Sequence, residues 1–191
     1  MEVFFKLLFY YHCNSNSLTI KTKAMKQLLI SICALFLILI CNYGVAQQAP
    51  AEFADAKYAE IGKKGLAALS SGDVDGWLAG YADNAVYLWN NGDSLAGKAA
   101  ITEYWKKRRT EVIDSITFSN AIFLPVKVNK PQSVEAPGVW LLGWYQVNAL
   151  YKTGKKMNQW IHTDMHFDAN DKIDRVIMYL DRAVINEATQ K

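Results

Sequence analysis

Along residues 51–181 the dominant spacing of apolar side chains changes once, from a helical repeat to an alternating one. Ala54, Tyr58, Ile61, Gly65 and Leu69 recur at spacings of three and four, which predicts a helix over 51–70. Ser70-Ser71-Gly72 supplies its stop, and Asp73 suits the N-cap of a second helix over 74–83, with Trp77, Leu78 and Tyr81 on one stripe. Residues 85–89 are aromatic and branched, the composition of a strand, and Asn90-Asn91-Gly92-Asp93 closes them with a turn. A third helix is expected over 97–111, where Ile101, Tyr104, Trp105 and Arg108 form an amphipathic face.

After this helix the pattern predicts four strands, near 115–128, 138–152, 156–168 and 172–181. The first is expected to bend near Pro125, because proline cannot donate to a ladder. Thr153-Gly154-Lys155 and Asn170-Asp171 are short hairpin connections, and 130–137 is a polar loop with two prolines. Three helices followed by a meander make an α+β domain over residues 51–185, its helices on one side of a strongly curved antiparallel sheet. Such long strands leave a sheet face that three helices cannot cover, which predicts a homodimer through that face.

The residues before this domain have a different character. From Met25 the chain runs through a lysine, an apolar stretch from Leu28 to Cys41, and Gly44-Val45-Ala46. That order is expected of a secretory signal over 25–46, cleaved after Ala46 to give an exported protein. The apolar stretch falls short of the roughly 20 residues a membrane span needs, and bulky Ile40 ahead of Cys41 argues against a lipid anchor. Residues 1–24 are then an over-extended start. Cleavage would remove Cys13, Cys33, Cys41 and His12, and with them all thiol chemistry. From Gln47 onward 17 basic and 17 acidic residues balance, so no electrostatic attraction to nucleic acid is expected. The cluster Lys106-Lys107-Arg108-Arg109 reads as a solvated helix end, where cations suit the dipole.

Candidate chemistry concentrates in WIHTDMHFD, residues 160–168. In a strand, Trp160, His162, Asp164, His166 and Asp168 share one face. His162 and His166 lie about 13 Å apart along such a strand, too far for one ion, and the mature chain has no further histidine or cysteine. No metal or other cofactor is expected. Asp164 beside His162 and His166 suits acid/base work if this face lines an apolar cavity. The opposite face, Ile161, Thr163, Met165 and Phe167, is the more apolar, and if it fills the interior the polar set lies outside. The pattern leaves both orientations open. Tyr179 and Asp181 share one parity on the next strand; with Trp89, Tyr104 and Trp144 they are the candidate ligand-contacting side chains.

Ser71-Gly72-Asp73, then Tyr81 to Val86, then Gly97 to Ile101 before Tyr104-Trp105, and finally Asn170 to Ile173 ahead of Tyr179-Leu180-Asp181 resemble the SnoaL-like branch of the nuclear transport factor 2-like superfamily. The resemblance implies a cone of bent sheet and three helices around an apolar pocket. In ketosteroid isomerases of that superfamily a catalytic aspartate occupies the position matching Leu88 or Trp89, and a tyrosine the position near Gly65. Neither is present here, which argues against that activity. The cyclases carry an acid/base aspartate nine residues before the isoleucine that matches Ile173, which lands on Asp164. Two functions follow as expectations. One is a module that binds a small hydrophobic molecule or dimerises, and the other is a cofactor-free enzyme that moves a proton on a small carbonyl compound.

Overall fold

A computed structural model describes residues 25–28, 30–32, 49–133 and 135–190. The chain divides into two units, Met1–Gln48 and Ala49–Lys191. In the first unit the described residues are helical; the expected over-extended start and the cleavage point after Ala46 lie outside the described residues. The second unit carries seven strands and four α-helices among its described residues.

Strand β1 (Ala51–Phe53) precedes helix α1 (Lys57–Ser71), so the helix begins later than its apolar repeat suggests. The Asp55 carboxylate accepts the Lys57 N–H at 2.8 Å, and residues 51–53 are claimed instead by a neighbouring strand. Gly72 ends α1 in the left-handed conformation, φ 83°, with the Gly72 and Asp73 amides returning to the Leu69 and Ala68 carbonyls. Asp73 caps α2 (Val74–Leu78) by accepting from the Gly76 N–H at 2.8 Å. That helix is shorter than expected, because Tyr81 already belongs to strand β2 (Tyr81–Trp89). A short β3 (Ser94–Ala96) and helix α3 (Lys98–Lys107) follow, and the helix widens into a π turn over Arg108–Val112.

Four further strands come next: β4 (Ile113–Val128), β5 (Gly138–Tyr151), β6 (Lys156–Phe167) and β7 (Ile173–Tyr179). Helix α4 (Arg182–Thr189) closes the unit, an element absent from the sequence expectation. The sheet order is β1-β4-β5-β6-β7-β2-β3, antiparallel except for the parallel pair β2–β7. The register of β4 against β5 shifts twice, between Ile113 and Ser115 and between Ser119 and Ile122, where Asn120 takes φ 53°. Pro125 does not interrupt the strand, since it stays in register with Leu141 and its carbonyl accepts from the Ala54 N–H at 3.0 Å.

The helices cover one sheet face. Gly62 lets α1 lie close against β4 and β5, since a Cβ there would come within 2.8 Å of Phe123 and 2.9 Å of Leu141. The start of α1 is tied to the β6–β7 turn, where Asp171 takes the Tyr58 hydroxyl at 2.5 Å and the Lys57 ammonium at 2.6 Å. Tyr87, Leu78, Ile101, Leu141 and Val147 are the largest fully buried side chains and mark the centre of the core.

Candidate functional site

Between the helices and the sheet lies a cavity of about 320 Å³, near the lower end of the roughly 300–1,000 Å³ found for ligand sites. The sheet contributes alternate residues: Tyr145, Val147, Ala149 and Tyr151 from β5, and Ile161, Thr163 and Met165 from β6. Strand parity thus decides which side chains reach it. An aromatic wall faces them, in which Trp77 and Trp105 meet edge to face at 5.3 Å and Trp89 and Tyr104 at 5.2 Å. Burial pushes the hydroxyls of Tyr81 and Tyr87 well above the usual phenol range and that of Tyr145 up to about 12. These tyrosines therefore stay neutral donors at physiological pH.

Trp89 and Tyr104, two of the side chains expected at a ligand site, line this cavity. The other sequence candidates do not. His162, Asp164, His166, Trp144 and Tyr179 occupy the opposite, outer face of the sheet. Asp181 caps α4 by accepting the Ala183 N–H at 2.8 Å. The physical reason is the apolar alternative already present in β6: Ile161, Thr163 and Met165 match the hydrophobic interior, and the two faces of one strand cannot both turn in.

On the outer face the polar set is nonetheless ordered. His162 Nε2 lies 2.8 Å from Asp164 Oδ1, and its Nδ1 3.0 Å from the Gly143 carbonyl. Its ring stacks between Trp144, at 4.6 Å, and Tyr179, at 5.5 Å. Desolvation by these neighbours raises the Asp164 carboxyl above its ordinary value, with the adjacent His162 pulling the other way. His166 belongs to a second pair, its Nδ1 2.6 Å from Asp174 and its Nε2 3.1 Å from the Pro137 carbonyl. Among the described residues no three His, Cys, Asp or Glu side chains converge closely enough to hold a metal ion.

Sequence reasoning missed the cavity contributions of Arg108, Thr163 and the C-terminal helix. The α4 side chains Arg182, Ile185, Asn186 and Thr189 face inward at helical spacing, a repeat legible in the sequence but short. Arg108 lies on the same stripe as Ile101, Tyr104 and Trp105, and the run Lys106 to Arg109 is not uniformly solvated. Lys106 pairs with Asp75 at 2.7 Å, whereas Arg108 is half-buried with its guanidinium carbon 5.7 Å from the Tyr104 ring centre.

No family model and no curated protein matches the chain. Solved structures do. A candidate polyketide cyclase from Xanthomonas campestris pv. campestris superposes with a TM-score of 0.56 at 16% identity, over 69% of this chain and 96% of its own. A candidate isomerase from Bacillus subtilis gives 0.53 at 20% identity, covering 68% and 90%. An NTF2-like protein of unknown function from Burkholderia pseudomallei gives 0.56 at 13% identity, covering 70% and 97%. With helices packed on one face of a mixed, unclosed sheet, the chain has the nuclear transport factor 2-like fold of the NTF2-like and ketosteroid isomerase-like structures it superposes on.

Proposed function

We propose that this chain is an exported, non-catalytic module that holds a small hydrophobic molecule in the cavity between its helices and sheet. One observation carries the reading: the cavity wall is mainly aromatic and aliphatic and contains no Asp, Glu or His, while His162, Asp164 and His166 stand across the sheet from it. A proton-transfer site on a carbonyl compound needs its base within hydrogen-bond reach of the reacting atom. Asp164 does not meet that requirement, so the enzymatic alternative has no base where a ligand would sit. The signal-like segment from Met25 to Ala46 supports export, and N-terminal sequencing of the exported protein should begin at Gln47.

The binding claim is tested by filling the cavity. Met165 lines it from β6 and is only partly buried, so Met165→Trp adds volume there without opening the core. Calorimetric titration with 1-naphthalenemethanol, a neutral ring compound, should show binding to the wild type and loss of at least tenfold in affinity in the variant. Equal binding to both proteins, with the variant folded by circular dichroism, would place the ligand elsewhere and overturn the reading.

A further inference from the structure

The charges around the cavity are one-sided. Lys64, Arg108 and Arg182 line it, and no carboxylate does. Arg182 is paired with Asp93. Arg108 has no such partner: among the described residues no carboxylate lies within ion-pair distance of it. An uncompensated cation beside a low-dielectric wall attracts an anion more strongly than the same cation in water. Guanidinium is also the side chain whose fork matches a carboxylate with two parallel hydrogen bonds. The backbone makes this placement specific, because α3 gives way to the π turn at Arg108, and single π turns occur frequently at functional sites.

Neighbouring hydroxyls reinforce the asymmetry. Tyr87 and Tyr151, both in the cavity wall, direct their hydroxyls to the sulfurs of Met178 at 3.5 Å and Met157 at 3.4 Å. Thioether sulfur is a weak acceptor. The wall therefore holds a free positive charge and donors with poor partners, set in aromatic surface. Its complement is a ring-bearing apolar body with an anionic group at one end. We propose that the cavity takes a small hydrophobic carboxylic acid and that Arg108 anchors its carboxylate. This rests on the ligand-binding reading above and names the class of ligand.

The test uses two probes of the same ring system, 1-naphthoic acid and 1-naphthalenemethanol, titrated calorimetrically into the full chain near neutral pH. The wild type should bind the acid at least tenfold more tightly than the alcohol. Arg108→Met keeps the apolar stem and removes the charge; it should weaken the acid by about ten- to a hundredfold, the range of a hydrogen bond to a charged group, and leave the alcohol within about twofold. Arg108→Lys, which keeps charge without the fork, should fall between. If Arg108→Met does not fold, the acid-to-alcohol preference of the wild type and the Lys variant decide. Equal affinity for acid and alcohol, or an acid affinity indifferent to Arg108, overturns the anchor while leaving the cavity reading intact. Failure of both probes to bind the wild type overturns both.

Discussion

Asp164 is a carboxylate on the outer face of a sheet whose side chain is only 18% exposed. Trp144 and Tyr179 flank its partner His162, while Leu142 and Ile177 are its cross-strand neighbours, so water reaches it poorly. Desolvation therefore sets the direction of its shift, and the contact with His162 only moderates it. A carboxyl raised in the folded state is one whose ionised form the fold tolerates less well than the unfolded chain does. It works against stability above the raised value, and the deficit disappears as pH falls through the window between the raised value and the ordinary one. Asp164→Asn should accordingly melt at or above the wild type at neutral pH, with the gap closing as pH descends through the carboxylate range. A variant that melts well below wild type at pH 7 would mean that the His162 pair outweighs desolvation.

At the scale of elements, the junction of α1 and α2 shows how local chemistry sets boundaries. Gly72 must adopt a positive φ to let two amides return to α1, and Asp73 then starts the next helix within one residue. A side chain at 72 would be strained by its backbone and would also stand 3.1 Å from Arg109 Nη2. Gly72→Ala should therefore cost about 1–2 kcal/mol, measured by urea denaturation as a lower midpoint with an unchanged slope. The strands behave differently. β6 alternates, apolar on one side and polar with aromatics on the other, and nothing within its own twelve residues states which side the helices will cover.

For the whole molecule, the consequence of that choice is an outer face left with large apolar groups in water. Ile122, Trp160 and Tyr179 are 58%, 53% and 43% exposed; Ile122 is opposite Trp144, Trp144 is opposite His162, and Tyr179 is opposite His162 on the next strand. A contiguous patch of this kind on an otherwise well-buried unit is what a self-complementary twofold contact would cover. The chain is proposed to pair with a second copy through this face. Sedimentation velocity at micromolar concentration should show a dimer, and Trp160→Glu, which sets two carboxylates against each other across a twofold interface, should convert it to monomer without lowering circular dichroism. A monomeric wild type would defeat the proposal.

The sequence by itself determined the elements whose causes are local. Gly72 and Asp73 placed a helix stop and a cap, the four strands after residue 112 follow from alternation and turn residues, and their order with the three helices indicates the fold. What lay beyond it were features decided by distant partners. Residues 51–53 became a strand because β4 offered them an edge, and Tyr81 left its helical stripe because β7 paired with it in parallel. The candidate site was legible only in part for the same reason. Trp89 and Tyr104 could be picked out as large aromatics, but the inward face of β6 depends on which side meets α1 and α4. Alternation encodes two faces and not their assignment; burying Ile161 and Met165 is favoured only once helices cover that side. The position of Arg108 is likewise tertiary, since a π turn and a cavity wall, rather than the basic run around it, bring that guanidinium inward.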